Sequence, residues 1–204
     1  MKFNHAAPCR PRLNAVRAGA LLTLALLLIP AFGAVRVKRA SAGAAFKPTT
    51  VFLVRHAEKD TTPPDDPPLN ELGRKRSQVL ALTLKEAGVK AIYTSQFLRT
   101  RQTAAPVATL LGLTPASIPV RMDVRDPRRV SDQSIREIVD KIHAHAGEAA
   151  LVVGHSNTVP EVIRMLGGNI VPVIDERQFD DLFVVTVYEK GKAKVARLKY
   201  GLND

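Results

Sequence analysis

The chain has 204 residues, enough for one domain with a sizeable core, and a formal net charge of +11. That charge lies mostly in residues 1–47, which hold eight Lys or Arg and no acid, so 11 − 8 leaves only +3 for the rest. A nucleic-acid-binding domain is therefore not indicated. The only cysteine, Cys9, lies in the same segment, which excludes disulfides and cysteine chemistry from residues 48–204.

The basic N-terminal segment has the composition of an export signal. Three arginines precede an apolar run over residues 18–35, and small residues at 31–33 and 42–44 are candidate cleavage sites. The alternative is an uncleaved membrane anchor, because about 18 apolar residues reach the lower limit for spanning a bilayer. Either reading predicts an extracytoplasmic protein in two parts. Residues 1–47 are the signal or anchor plus a linker, and residues 48–204 are a single domain that meets the membrane only through a retained anchor.

The rest of the chain alternates between predicted strands and helices. It begins with a short apolar strand, residues 51–54, which runs into Arg55 and His56. Four prolines in residues 61–68 form a stiff loop, which either overhangs the strand end or is a plain connector. A helix is predicted over 70–87, a strand over 91–95, and a helix within 98–111 that Pro106 kinks or delays. A weaker strand over 118–122 and a helix over 134–146, capped by Ser134, come next. A strand over 149–153 and a helix over 158–166 follow, and two last strands over 182–188 and 193–198 form a hairpin or an edge addition. This alternation predicts an α/β fold, a three-layer sandwich with a mostly parallel central sheet and helices on both faces.

Three of the predicted strand ends carry side chains that suit one kind of ligand. Arg55 and His56 follow the first strand. Ser95 ends the second strand with Arg99 four residues further on, and His155 follows the fourth. Because the ligand crevice of an open α/β sheet lies at the carboxyl ends of its strands, these residues are expected to converge. Two arginines, two histidines and a helix N-terminus describe an anion site, and arginine suits bidentate binding of phosphate.

The same residues resemble the motifs of a known family. Val-Arg-His-Ala-Glu at residues 54–58 resembles the Arg-His-Gly-Glu signature of the histidine phosphatase (phosphoglycerate mutase-like) superfamily, with alanine in place of the glycine. Residues 95–104 resemble its second block, with the phosphate-binding arginine at Arg99. Val-Gly-His at residues 153–155 resembles its second-histidine block, and Leu-Asn-Glu-Leu-Gly at residues 69–73 is similar to the start of its first helix. The order and spacing of these blocks are specific in combination.

The resemblance covers roughly residues 50–165 and implies a mechanism that also suits the residues chemically. Neutral His56 attacks phosphorus and forms a phosphohistidine, which splits one difficult step into two. Arg55, Arg99 and His155 hold the non-bridging oxygens and stabilise the charge of the transition state. No metal or cofactor is implied, because the cations are protein side chains.

The proton donor for the leaving group is open between several carboxylates. One branch of the family has Asp directly after the second histidine, where this chain has Ser156. The other branch takes an acid from the region after the third strand, where Asp123 is preferred over Asp126 because it lies closest to the strand end. Asp123 as a solvated loop charge is the alternative. Glu58 is a third candidate, and Asn157 is a candidate contact to the phosphate.

The predicted function is a phosphomonoesterase that hydrolyses a small phosphorylated substrate through a phosphohistidine on His56. A phosphomutase of the same family is an alternative that export disfavours, and a phosphatase for phosphohistidine on proteins is another. A different class is a non-catalytic domain that holds a phosphorylated ligand, which the lack of an obvious acid would favour. His143 and His145 are two residues apart on a predicted helix, so they do not share a face and are not predicted to bind a metal.

Overall fold

The structure is a computed structural model that describes residues 47–201. The predicted export signal or anchor, residues 18–35 included, lies outside the described residues. Within residues 47–201, no helix combines the length and the apolar character needed to cross a membrane. Of the domain predicted over residues 48–204, the structure describes residues 48–201.

A six-stranded sheet forms the centre of the described part of the chain. Its strands are β1 (Thr49–Arg55), β2 (Val89–Thr94), β3 (Ala116–Ser117), β4 (Ala149–Gly154), β5 (Asp181–Glu189) and β6 (Lys192–Lys199). Their order across the sheet is β3-β2-β4-β1-β5-β6. The first four in that order are mutually parallel, whereas β5 is antiparallel to β1 and forms the hairpin with β6. The parallel half therefore carries all the strand ends singled out from the sequence.

Helices cover both faces of this sheet. They are α1 (Glu71–Leu84), α2 (Leu98–Leu111), α3 (Asp132–His143) and α4 (Val159–Met165). Side chains of β1 alternate between two cores, as the pleat of a strand requires. Val51 and Leu53 pack with α3 and α4, while Val54 packs with α1 and α2. Pro106 is internal to α2, which begins at Leu98. The three-layer α/β arrangement confirms the predicted fold class.

The starts of two helices depend on side-chain caps, one predicted correctly and one not. Asn70 Oδ1 accepts a hydrogen bond from the Gly73 amide (2.9 Å), so α1 begins where predicted. Helix α3 begins earlier than predicted, because Ser131 rather than Ser134 caps it. The Ser131 hydroxyl accepts from the Ser134 amide (3.3 Å), and the buried Ser134 hydroxyl accepts from the Arg121 amide (3.0 Å). Ser134 thus ties the preceding loop to the helix instead of starting it.

The weaker strand predicted over residues 118–122 does not form. Strand β3 ends at Ser117, and Pro119 just beyond it has no N–H to donate to a ladder. The side chain of Gln96 supplies the missing partner instead. Its Oε1 accepts from the Val120 amide (2.9 Å) and its Nε2 donates to the Val120 carbonyl (3.0 Å). This segment therefore leaves the sheet while staying tied to the end of β2.

Candidate active site

The register of the parallel strands brings the predicted residues to one edge of the sheet. In that register Arg55 at the end of β1 lies opposite Gly154 at the end of β4. The His56 amide continues the ladder by donating to the Gly154 carbonyl (2.9 Å). His155 then follows β4, and Ser95 follows β2 on the other side of β4. Because β4 lies between β1 and β2, its histidine is flanked by both neighbouring strand ends.

The imidazole of His56 is held in one tautomer. Its Nδ1 lies 2.8 Å from the Ala57 carbonyl oxygen, which can only accept, so Nδ1 carries the proton and Nε2 keeps its lone pair. The Ala57 amide in turn donates to Thr103 Oγ1 on α2 (2.9 Å). Burial, followed by the charges of Arg55 and Arg99, lowers the pKa of His56 from 6.5 to about 4. The hydrogen bond to the Ala57 carbonyl acts in the opposite direction and raises the pKa. His56 is therefore a neutral, oriented base at neutral pH.

His155 faces His56 across the site. The two ring centroids are 5.4 Å apart in an edge-to-face arrangement. Nε2 of His155 lies 2.9 Å from Ser95 Oγ, which lies 2.9 Å from Thr100 Oγ1, so the ring is fixed from behind by two buried hydroxyls. Burial first, then His56 and Arg99, lowers the pKa of His155 from 6.5 to about 3. Both histidines are uncharged at neutral pH, and the positive charge of the site comes from Arg55, Arg99 and Lys59.

Arg55 is buried and fixed by the segment that precedes β5. Its Nη1 donates to the Asp175 carbonyl (2.9 Å), and its Nη2 pairs with Glu176 Oε2 (2.6 Å). The guanidinium lies over the Phe179 ring, 4.4 Å from its centroid. Burial lowers the pKa of Arg55, with Glu176 opposing, yet arginine stays charged at any physiological pH.

Arg99 is positioned at the start of α2. Its guanidinium lies over the Phe97 ring, 4.2 Å from the centroid, and its Nη1 is 3.6 Å from Asp66 Oδ1. Asp66 also accepts from the Leu98 amide (2.8 Å), as a carboxylate does at a helix N-terminus. Through Asp66, the proline-rich loop over residues 61–68 therefore contacts the start of α2 and helps to position Arg99. Among the described residues, the Nε atoms of Arg55 and Arg99 have no hydrogen-bond partner.

These side chains line a cleft of about 320 Å³, at the small end of the range for ligand sites. Its lining residues are Arg55, His56, Lys59, Phe97, Arg99, Val120, Met122, His155, Ser156, Asn157 and Glu176. Five of the predicted site residues lie there together: Arg55, His56, Arg99, His155 and Asn157. Within residues 47–201, no group of three or more His, Cys, Asp or Glu side chains is placed to hold a metal ion.

Glu58, one predicted proton donor, does not line this cleft. Its two oxygens bind Arg76: Nε donates to both, at 2.9 and 3.0 Å, and Nη2 donates to Oε1 at 2.7 Å. Arg76 also donates to the Tyr200 carbonyl (3.2 Å). The carboxylate of Glu58 is therefore engaged in a buried pair that ties α1 to the end of β6.

Asp123, the preferred proton donor in the sequence, is half-buried beside the cleft and does not line it. Its neighbour Met122 does line it. Asp123 Oδ1 accepts from the amides of Arg125 (2.7 Å) and Asp126 (3.4 Å), and the Arg125 hydrogen bond leads in lowering the pKa of the carboxyl. Such hydrogen bonds favour the ionised form, which cannot donate a proton. Asp126, the other candidate of this loop, accepts from the Arg128 amide (3.1 Å). The assignment of Asp123 stays a prediction that no contact with the cleft supports.

Glu176 is the cleft carboxylate that sequence reasoning missed. Besides its pair with Arg55, its Oε1 accepts from the Ser156 hydroxyl at 2.5 Å. It lies between α4 and β5 in Asp-Glu-Arg, a local pattern that is typical of a solvated turn. No local signal could have assigned it, because its partner Arg55 lies 121 residues away in sequence.

Comparison with known proteins finds a sequence match in the N-terminal half of this domain. Residues 51–126 match the sequence model of the histidine phosphatase superfamily (branch 1). The PE-PGRS family protein PE_PGRS11 of Mycobacterium tuberculosis is 46% identical over 78 residues, which cover 34% of this chain and 13% of that protein. The chain thus spans only a small part of the length of that relative.

Solved structures extend the likeness to the whole domain. The protein histidine phosphatase SixA complexed with tungstate has a TM-score of 0.58 at 20% identity, covering 74% of this chain and 96% of that one. Phosphoglycerate mutase from Bacillus anthracis has a TM-score of 0.59 at 17% identity, covering 76% and 94%. At such identities the likeness shows a shared fold. Together with the family-model match over residues 51–126, this shared fold supports a relation to the histidine phosphatase superfamily.

Proposed function

We propose that this chain is a metal-independent phosphomonoesterase that transfers the phosphoryl group of a small substrate to His56 and then to water. One observation carries the proposal: the Nδ1–H of His56 donates to the Ala57 carbonyl (2.8 Å) and leaves Nε2 unprotonated. A buried, neutral imidazole with a fixed lone pair is suited to nucleophilic attack on phosphorus.

The groups around His56 suit the charge that such a reaction develops. Arg55, Arg99 and His155 line the same cleft and would hold the non-bridging oxygens of the phosphoryl group. Phosphoryl transfer depends mainly on positioning and on neutralising this charge, and the two guanidinium groups provide both without a bound metal. A neighbour of the same fold is a protein histidine phosphatase complexed with tungstate, an oxyanion, which supports an anion site in this fold. The cleft volume of about 320 Å³ supports a small phosphorylated group as substrate.

We also propose that the domain acts outside the cytoplasm. This part rests on the sequence alone, namely on the arginines and the apolar run within residues 1–47.

The proposal is tested by trapping the intermediate. The full chain should hydrolyse an aryl phosphate in the presence of a chelator, and acid quenching with a radiolabelled substrate should trap a phosphorylated protein. His56→Ala should abolish both the turnover and the label. His145→Ala is the matched control, because the His145 ring lies 2.7 Å from a Glu148 oxygen outside the cleft, and it should keep both.

Three results would contradict this function. Label that persists in His56→Ala would remove His56 as the nucleophile. Phosphate binding without turnover at any pH from acid to neutral would indicate a binding domain. Transfer to a second hydroxyl of the substrate instead of to water would indicate a mutase.

A further inference from the structure

The carboxylate of Glu176 occupies an unusual position in the cleft. Its Oε2 pairs with Nη2 of Arg55 (2.6 Å) and its Oε1 accepts from the Ser156 hydroxyl (2.5 Å). The side chain of Arg55 is only 5% exposed, whereas that of Glu176 is 77% exposed. One end of a buried phosphate-binding arginine is therefore joined to a carboxylate that stays in contact with solvent.

Glu176 is also the only carboxylate among the lining residues of this cleft within the described part of the chain. The nearby alternatives are engaged elsewhere. Glu58 binds Arg76 with both oxygens, and Asp66 accepts from the Leu98 amide. Asp123 accepts from the main-chain amides of its own loop. Glu176 thus lines the cleft and, with its side chain 77% exposed, also reaches bulk water.

We propose that Glu176 is the proton donor to the leaving group in the phosphatase reaction, an assignment that rests on the proposed function. In the first step Nε2 of His56 forms a bond to phosphorus and the bond from phosphorus to the leaving oxygen breaks. That oxygen takes the proton of the Glu176 carboxyl group and departs as an alcohol. In the second step water attacks the phosphohistidine, the N–P bond breaks, and the Glu176 carboxylate takes a proton from the water. Inorganic phosphate leaves and Glu176 is protonated again.

The ion pair with Arg55 fits this role because substrate competes for the same guanidinium. A phosphate dianion and an ionised carboxylate on one arginine repel each other, and protonation of the carboxylate removes the repulsion. The exposure of Glu176 lets it take that proton from water. Substrate binding would thereby convert the carboxylate into the acid that the chemistry needs.

The loop that carries Glu176 can release its side chain without losing its place. Arg55 also donates to the Asp175 and Gln178 carbonyls, at 2.9 and 3.4 Å, and lies over the Phe179 ring. These contacts involve the main chain and an aromatic face, so they do not depend on the carboxylate. Ser156 follows His155 directly, and its hydroxyl donates a hydrogen bond to Glu176.

The decisive experiment compares leaving groups in the full chain. Glu176→Gln keeps the size of the side chain and removes the transferable proton. With an alkyl phosphate such as glycerol 2-phosphate, whose leaving group needs a proton, kcat/KM should fall roughly 100-fold or more. With 2,4-dinitrophenyl phosphate, whose leaving group needs none, kcat/KM should stay within about threefold. Glu161→Gln is the matched control, since Glu161 also pairs with an arginine, Arg164 (2.8 Å), outside the cleft, and it should change neither value.

The outcomes separate this inference from the proposed function. Equal losses with both esters in Glu176→Gln would mean that Glu176 only positions Arg55, and tighter phosphate binding without loss of turnover would mean that it only competes with substrate. A loss confined to the alkyl ester in Asp123→Asn but absent in Glu176→Gln would assign the proton to Asp123 instead. Each of these overturns the inference while the wild-type activity upholds the phosphatase. No turnover of either ester by the wild-type chain would overturn both.

Discussion

At the scale of single residues, a main-chain carbonyl decides what His56 can do. The Ala57 carbonyl accepts the Nδ1 proton, and burial keeps the imidazole uncharged. His155 is held by Ser95 in the same neutral form. Both histidines thus remain neutral, because a second ring proton would place a positive charge beside two arginines in a desolvated cleft.

The pH dependence of activity should report this directly. Because the pKa of His56 is lowered from 6.5 to about 4, kcat/KM should hold its value down to mildly acid pH and fall only as pH approaches 4. The measurement is a pH profile of kcat/KM, which reports groups of the free enzyme, corrected for ionisation of the substrate. An acid limb centred near 6.5 would show instead that His56 titrates as an ordinary exposed histidine.

At the scale of elements, helix α1 is pressed against the chain that follows β1. A Cβ built on Gly73 would lie 2.0 Å from the Glu58 carbonyl oxygen, far inside any contact distance. Glycine is therefore required by this close approach, in the first turn of a helix where alanine would otherwise be preferred. The Leu-Asn-Glu-Leu-Gly stretch marks the place where α1 meets the segment that carries the histidine.

Gly73→Ala should accordingly destabilise the protein by about 1–3 kcal/mol, as overpacking does, although alanine has the higher helix propensity. Lys75→Ala in the same helix is the control, because Lys75 is exposed, and it should change the free energy of unfolding by less than about 0.5 kcal/mol. Urea unfolding of the two variants makes the comparison. A Gly73→Ala protein as stable as the wild type would show that α1 can shift without cost.

At the scale of the whole molecule, the order of the strands assembles the site. Strand β4 lies between β1 and β2, so His155 meets His56 on one side and Ser95 on the other. The antiparallel strand β5 pairs with the free edge of β1, and the segment before it brings Glu176 and Phe179 onto Arg55. Neither half of the sheet would complete the cleft alone.

Building the site from buried histidines has a consequence for stability. The pKa of each is lower in the folded chain, about 4 and about 3 against 6.5, so the unfolded chain binds more protons in that interval. Their contribution to stability is fully present above pH 6.5 and is lost as pH falls towards 4. The free energy of unfolding should therefore decrease on acidification through this window. His56→Gln should show a shallower slope than the wild type, and an equal slope would mean that other groups control acid unfolding.

The sequence by itself determined the parts that obey local rules or lie in contiguous motifs. The alternation of apolar strands and helices specified the three-layer fold, and Asn70 specified the start of α1. Arg55, His56, Arg99 and His155 could be predicted to converge, since each follows a parallel strand and such strands end at one edge. The cap predicted at Ser134 was wrong, because its hydroxyl accepts a hydrogen bond from the Arg121 amide of the preceding loop instead of capping α3.

Only the tertiary structure decided which carboxylate lies in the cleft. Glu58 belongs to the first motif yet pairs with Arg76, while Glu176 reaches Arg55 from 121 residues away. The residues around a carboxylate in the sequence do not show which arginine or lysine it will pair with, because that depends on which cation lies near it after folding. The place of His56 in the cleft could be predicted from its position at a strand end, whereas the carboxylate of the cleft depends on how a loop closes over that strand.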